Sequence, residues 1–263
     1  MGQAGGDLRP VLAPAKLTVT LRVTGVRANG YHELDAEMVT LSLADELFFD
    51  EGGSGLVVEA EAGARADDLP RAEQNLVARA LEACGRTAAV RLTKRIPLGG
   101  GLGGGSADAA AVLRWAGCAD PAVATRLGSD VPFCLEGGRA RVEGVGERVT
   151  PLAFEAREYL LLVPPFGVDT ARVYRAWDQD PRDDAPNALA SAALAVEPRL
   201  AHWRDALRDL AGSEPSLAGS GSTWFVEDGP AEAGTAAQPV LRMRADSARL
   251  VRARTVPAGW DGD

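Results

Sequence analysis

From Leu17 to Gly25 the chain alternates apolar and polar positions, "LTVTLRVTG", and β-forming residues alternate or cluster again over residues 37–50 and 56–61. A two-residue period lines up one set of side chains on one face of a strand, so the N-terminal part is predicted to be strands joined by turns. The period changes over residues 75–85, "NLVARALEACG". Leu76, Ala80, Leu81 and Cys84 fall on one helical face there, with Asn75 as cap and Gly85 as stop. Residues 88–96, "AAVRLTKRI", form a strand that runs into Pro97 and a glycine run, after which a helix is predicted from Ser106 and a short one from about Pro121. Ser129 or Asp130 suits the cap of a further turn in "GSDVPFCLEGG", and "RARVEGVGERVTPL" reads as a hairpin. The second half begins with the strand "YLLLVPP" and continues with helices near 170–178, 186–196 and 199–211. It ends with a strand entered from "LAGSGS" and a last one, "ARLVRARTV". Strands and helices do not strictly alternate, so the expected fold is α+β in two lobes, residues 1–152 and 153–263, rather than one doubly wound sheet.

Composition narrows the function more than the fold. The 263 residues are enough for one large or two modest domains, and no apolar run approaches the length that spans a bilayer. A net charge of −9 without a basic tract argues against nucleic acid as a partner, while leaving room for a local pocket that takes a small phosphate ligand. Cys84, Cys118 and Cys134 are odd in number and lack C-x-x-C spacing, which suits a reducing compartment and offers neither a disulfide nor a metal framework. The opening residues "MGQAGGDLRPVLAP" lack the basic and apolar regions of a secretory signal, so the expected location is the cytoplasm.

The candidate chemistry lies in "IPLGGGLGGGSADAAAVLRW", residues 96–115, where six of seven consecutive positions are glycine. Backbone without Cβ adopts positive φ and lets successive N–H groups converge on an anion, and a helix starting just after adds the positive end of its dipole. The loop therefore reads as a phosphate site, in which an added Cβ is expected to intrude on phosphate oxygens. No lysine follows the glycines, so the loop is not a P-loop. Gly99, Gly101 and Gly104 do match G-x-G-x-x-G, but Asp120, at the spacing of a ribose-binding acid, is preceded by no strand. Protein-kinase signatures are missing as well.

The segments "PAKLTVTLRVTGVRANGYHEL", "IPLGGGLGGGSADAA", "LGSDVPF" and "LAGSGS" follow one another in the order and rough spacing of the GHMP kinase superfamily. The chain resembles that superfamily from about Pro14 to its last strand. Within it, the chain is most similar to the branch acting on a diphosphocytidyl-linked methylerythritol of non-mevalonate isoprenoid synthesis. The resemblance implies a ribosomal-S5-like N-terminal lobe, a ferredoxin-like C-terminal lobe, and a cleft between them for ATP and substrate. It implies Lys16 and Asp130 as the catalytic pair. For ATP it implies Asn75 near the adenine, the loop of Pro97, Leu98, Gly99, Gly100, Gly101, Leu102, Gly103, Gly104, Gly105, Ser106 and Ala107 on the triphosphate, and Gly219, Ser220 and Gly221 closing over it. Thr18, Tyr31, His32 and Tyr174 are implied on the substrate, Tyr174 beneath the cytosine ring. The partner so implied is a small molecule carrying a cytidine diphosphate group, with no nucleic acid and no membrane, for a monomer or weak homodimer.

Three positions depart from the family pattern. Thr18 stands where an asparagine is common, Ala188 follows Asn187 where an aspartate is common, and the segment before "GSDVPF" is short, which would curtail the helix from Ser106. Taken singly, Asp130 reads as a helix cap, Lys16 as a surface lysine, His32 as a turn histidine and Tyr174 as core; their joint order points to a site. Phosphoryl transfer then needs a carboxylate at the acceptor hydroxyl, which Asp130 provides, and a cation for developing charge, which Lys16 provides. Ser106 is placed to touch a phosphate or Mg²⁺, and without a His, Cys or carboxylate cluster the magnesium is expected to arrive with ATP. Another small-molecule kinase of the same superfamily and a non-catalytic nucleotide-binding protein remain as alternatives. "GYHEL" and Tyr174 speak against the first, Lys16 and Asp130 against the second.

Overall fold

Two long strands set up the first sheet of the structure, a computed structural model that describes residues 9–60, 75–118, 120–184, 186–228, 240–243 and 246–262. β1 (Val11–Val26) and β2 (His32–Asp50) pair antiparallel from Val26 opposite His32 to Val11 opposite Leu47. β1 starts earlier than the sequence period suggested, because Pro14 is absorbed where the register slips between Pro14 and Lys16. A residue without an N–H donor is tolerated at such a bulge. β3 (Gly55–Ala60) runs parallel to β4 (Ala89–Lys94), and β4 pairs with the C-terminal end of β2. Residue 61, expected to end the third strand, lies outside the described residues. β5 (Arg139–Gly144) pairs with the first half of β2 and turns into β6 (Arg148–Pro151), the expected hairpin.

The second sheet begins with β7 (Glu158–Val163) and is antiparallel throughout. Its other strands are β8 (Ser216–Leu217), β9 (Trp224–Asp228), β10 (Val240–Met243) and β11 (Asp246–Arg254), in the order β10-β11-β7-β9-β8. Within the first sheet's stretch of chain, α1 (Leu76–Ala83) lies between β3 and β4, and α2 (Gly104–Trp115), α3 (Pro121–Leu127) and α4 (Val131–Glu136) lie between β4 and β5. On the second sheet's side are α5 (Thr170–Gln179), α6 (Ala190–Val196) and α7 (Arg199–Ala211). The α+β expectation holds, with the change of sheet falling between Pro151 and Glu158.

Two helix starts differ from expectation. α2 begins at Gly104, two residues before Ser106, because Gly103 at φ +69° turns the chain into the helix without a side-chain cap. It runs 12 residues and is not curtailed. α6 begins at Ala190 rather than 186, because residues 186–188 hydrogen-bond to β1 instead. Leu21 N–H donates to the Pro186 carbonyl at 2.9 Å, and Ala188 N–H donates to the Leu21 carbonyl at 2.9 Å.

The alanines of α2 explain how it fits. Ala107, Ala109, Ala110 and Ala111 are all buried, so the helix axis lies close to its neighbours. Around it Leu17, Leu41, Leu92, Leu113 and Phe133 form one core, and Leu162, Leu189, Trp203 and Trp224 form a second. The cores interlock. Tyr159, Leu161 and Phe225 of the second sheet pack into the first, and Leu21 of β1 packs into the second. β1 thus runs along the seam between the sheets and carries Lys16 and Thr18 there.

Candidate active site

Four segments converge on Lys16. Its backbone N–H donates to the Leu102 carbonyl at 3.0 Å, and a Cβ built on Gly103 would stand 2.6 Å from Lys16 Cγ. Its Nζ lies 3.1 Å from Thr18 Oγ1 and 3.3 Å from Asp130 Oδ2, and a Cβ on Gly219 would be 3.6 Å away. At 5 % exposure Lys16 is not the surface lysine its local sequence suggests. A buried ammonium requires such partners to offset its lost hydration. Asp130 occupies the cap position of α4 yet makes no capping hydrogen bond. Its side chain turns to Lys16 and stays 31 % exposed, so the carboxylate also faces open space. Thr18, where the family commonly has asparagine, keeps an oxygen on the lysine and is itself buried.

The two glycine clusters pack against each other. Thr223 N–H donates to the Gly100 carbonyl at 3.2 Å, and a Cβ on Gly101 would stand 2.6 Å from the Ala218 carbonyl oxygen and 2.7 Å from that of Gly221. Gly99, Gly101 and Gly103 hold φ of +68°, +77° and +69°. A Cβ at Gly104 would crowd Ile96 and Lys94. This corrects the expectation that a Cβ in the loop intrudes on phosphate oxygens: at 101, 103 and 104 it would strike protein first. The backbone donors left over are in the first turn of α2, where helix geometry leaves the N–H groups of Gly104, Gly105 and Ser106 without intrahelical acceptors. Gly105 is exposed, Ser106 half-buried, and Leu102 and Ala107 buried beneath. A Cβ on Gly128 would lie 3.9 Å from Ser106 Oγ, so the turn leading to Asp130 sits beside this helix end. We expect Gly103→Ala to cost about 1–2 kcal/mol of stability through left-handed strain, and also to lower turnover by displacing Lys16. Thermal melts and rates for this variant check both effects, and parental stability with parental turnover would contradict them.

Under the loop lies a buried charge cluster that sequence reading did not single out. Lys94 Nζ donates to Asp45 Oδ2 and, at 2.7 Å, to Asp108 Oδ2. Asp45 Oδ1 accepts the backbone N–H groups of Arg95 and Ile96 at 2.5 and 2.8 Å, which fixes the chain entering Pro97. Burial pushes the Asp108 pKa up to about 7, with the Asp45 charge adding to it and Lys94 opposing. Burial also works against the Lys94 charge, but the two carboxylates outweigh it and its pKa lies above the ordinary value.

A second group of predicted residues meets between β2 and α5. His32 and Tyr174 stack with ring centroids 4.5 Å apart, the edge of Trp177 adds a T-shaped contact at 5.7 Å, and His32 Nε2 is 2.7 Å from Asp178 Oδ1. Tyr174, Trp177 and Asp178 share one face of α5 at helical spacing, the signal by which Trp177 and Asp178 were findable. Tyr31 beside them is 60 % exposed. Burial raises the Tyr174 hydroxyl pKa, and the Asp130 charge raises it further. Asn75 is buried and caps α1, its Oδ1 accepting Val77 N–H at 3.0 Å. Ser220 Oγ is 2.8 Å from Thr170 Oγ1 at the start of α5. Asn187, also unnoticed as a site residue, donates to the carbonyls of Leu217 and Gly219.

An α+β fold in which a glycine loop opens a helix beside a buried lysine and a carboxylate is the arrangement of a GHMP kinase. The sequence profile described as "GHMP kinases N terminal domain" matches residues 74–138. A 4-diphosphocytidyl-2-C-methyl-D-erythritol kinase of Paracoccus denitrificans is 38% identical over 81% of this chain and 84% of its own. One of Pelotomaculum thermopropionicum is 38% identical over 93% and 96%. A crystal structure of a 4-(cytidine 5'-diphospho)-2C-methyl-D-erythritol kinase superposes with a TM-score of 0.66 at 37% identity, covering 82% of this chain and 88% of that one. The chain belongs to the 4-diphosphocytidyl-2-C-methyl-D-erythritol kinase family of GHMP kinases. Kinases of this class use ATP on a small molecule, and no described helix is long and apolar enough to cross a membrane.

Proposed function

We propose that the protein transfers the γ-phosphoryl group of ATP to the 2-hydroxyl of 4-diphosphocytidyl-2-C-methyl-D-erythritol, a step of non-mevalonate isoprenoid synthesis. The observation that carries the reading is the Lys16–Asp130 pair at 3.3 Å, with the lysine packed on the glycine loop. The exposed side of Asp130 accepts the hydroxyl proton as the oxygen attacks phosphorus. Two of the three Lys16 ammonium donors engage Thr18 and Asp130, and the third is free for the transferring phosphoryl oxygens. The N–H groups of Gly104, Gly105 and Ser106 hold the triphosphate, with the helix dipole behind them. Ser106 Oγ is the side chain we assign to magnesium brought in with ATP, whose charge neutralises the phosphates. Asn75 lies toward the adenine, and Gly219 to Gly221 close the phosphate end.

On the acceptor side we assign Tyr31, His32 and Tyr174 to the cytidine diphosphate, with Tyr174 as the platform for the cytosine. Residues 1–152 and 153–263 are the two lobes of this reading. We assign it to the cytoplasm, which its three free thiols suit, and to a monomer or weak homodimer. The recognition reading is tested at Tyr174. Tyr174→Ala should weaken acceptor binding by about 1–3 kcal/mol, as loss of base stacking does elsewhere, with ATP affinity unchanged. A uridine analogue should be used less well than the cytidine substrate, because swapping donor for acceptor leaves a site hydrogen bond unpaired. Equal use of both analogues would remove the base from the site.

A further inference from the structure

We propose that Asn187 is a positioning residue of the phosphoryl-transfer site, and that it holds the Gly219–Ser220 peptide so that the Ser220 N–H donates to the phosphate being transferred. Asn187 is 3 % exposed, and every polar atom of its amide is used. Nδ2 donates to the Leu217 carbonyl at 2.8 Å and to the Gly219 carbonyl at 2.7 Å, while Oδ1 accepts Leu189 N–H at 2.9 Å. The flanking carbonyl of Pro186 and N–H of Ala188 are bonded to Leu21 of β1, at 2.9 Å each. One side chain thus ties the second glycine loop to the strand that carries Lys16 and Thr18. The same loop approaches them from the other side, since a Cβ on Gly219 would stand 3.6 Å from Lys16 Nζ and 3.8 Å from Thr18 Oγ1.

The consequence comes from the planarity of the peptide unit. In a trans peptide the C=O of one residue and the N–H of the next point in opposite directions. Pinning the Gly219 carbonyl on the buried amide of Asn187 therefore turns the Ser220 N–H away from the interior, toward the cleft. Two nearby N–H groups are occupied, Ala218 donating to the Thr223 carbonyl at 2.9 Å and Gly221 to the Ala218 carbonyl at 3.0 Å. Among the described residues no acceptor takes the Ser220 N–H. Gly219 holds φ +58°, which places the carbonyl in reach of Asn187 without a Cβ to displace. A fixed backbone donor beside the catalytic lysine stabilises charge on a transferring group without reorganising during the reaction.

The inference rests on the kinase reading, and its test separates the two. Asn187→Asp keeps the size and the oxygen that accepts Leu189 N–H, but it presents a carboxylate to two carbonyls and cannot donate. We expect kcat to fall about 10²-fold, the effect of losing one such donor, with KM for the acceptor within about twofold because no acceptor contact is lost. Leu207→Ala, a truncation in the same core, should lower the melting temperature and leave kcat intact. A folded Asn187→Asp protein with parental kcat would overturn the proposal. On the unmodified protein, adding magnesium with a non-hydrolysable ATP analogue should shift the Ser220 amide resonance and leave that of Ala218 in place. Movement of the residue 97–107 amides without Ser220 would overturn the role of Asn187 while leaving the ATP site standing. No movement in either segment would overturn both.

Discussion

Replacing Asp130 by asparagine is expected to lower turnover by about 10²–10⁴-fold, the range that loss of a general base produces, with the fold intact and acceptor affinity nearly unchanged. The substitution is almost isosteric. A capping role would survive it, but Asp130 makes no capping hydrogen bond to lose. What changes is the charge facing Lys16 at 3.3 Å and the proton acceptor on the open side of the cleft. Lys16→Met should also cut turnover, since no other described side chain stands between the glycine loop, Thr18 and Asp130 in its place. The two side chains act as one unit, so the double variant should lose far less than the product of the single losses. Rates and melts for the parent and three variants check this. Strictly multiplicative losses, or an active Asp130→Asn enzyme, would mean that the chemistry is done elsewhere.

The largest effect on stability is expected at Lys94. Lys94→Met leaves the Asp45 and Asp108 carboxylates buried without their cation, and breaking a buried pair in this way costs about 3–5 kcal/mol. Asp45 would then also lose its hold on the backbone entering the glycine loop. Asp108→Asn in the Lys94→Met background should recover part of the loss, because it removes one of the two unpaired charges. The single Asp108→Asn variant tests the electrostatics by pH. The Asp108 pKa is held up to about 7 against an ordinary value of 3.8, so between those values the folded protein carries a proton that the unfolded chain has released. Stability from this group is therefore greatest at the acid end of that window and falls as pH rises toward about 7. The stability of the parent relative to Asp108→Asn should decline across the window and level off above it. Denaturant melts at several pH values measure that difference, and a constant difference would contradict the account of the cluster.

What the sequence made legible follows from how local the signal was. The period of α7, residues 199–211, appears in the structure residue for residue, and Asn75 caps α1 as its position suggested. The start of α2 was misplaced because Ser106 looks like a cap, whereas a left-handed glycine opens the helix without one. The start of α6 was misplaced because bonds to Leu21, far away in the chain, take residues 186–188 out of the helix. β10 spans only four residues, too few to show a period. In the site, each of Lys16, Asp130, His32 and Tyr174 looks ordinary alone, and their order along the chain singled them out. The cluster of Asp45, Lys94 and Asp108 has no such order. Its members sit 49 and 14 residues apart along the chain, and only the pairing of β2 with β4 and the packing of α2 beside them bring the three together.

The most direct measurement is the product itself. The purified protein, incubated with magnesium, ATP and 4-diphosphocytidyl-2-C-methyl-D-erythritol, should yield one equivalent of ADP and an acceptor heavier by one phosphate, located on the 2-hydroxyl by phosphorus and proton NMR. Asp130→Asn at the same concentration should yield almost none. Phosphate at another position, ATP hydrolysis without transfer, or equal product from the variant would contradict the assignment of this site to that reaction.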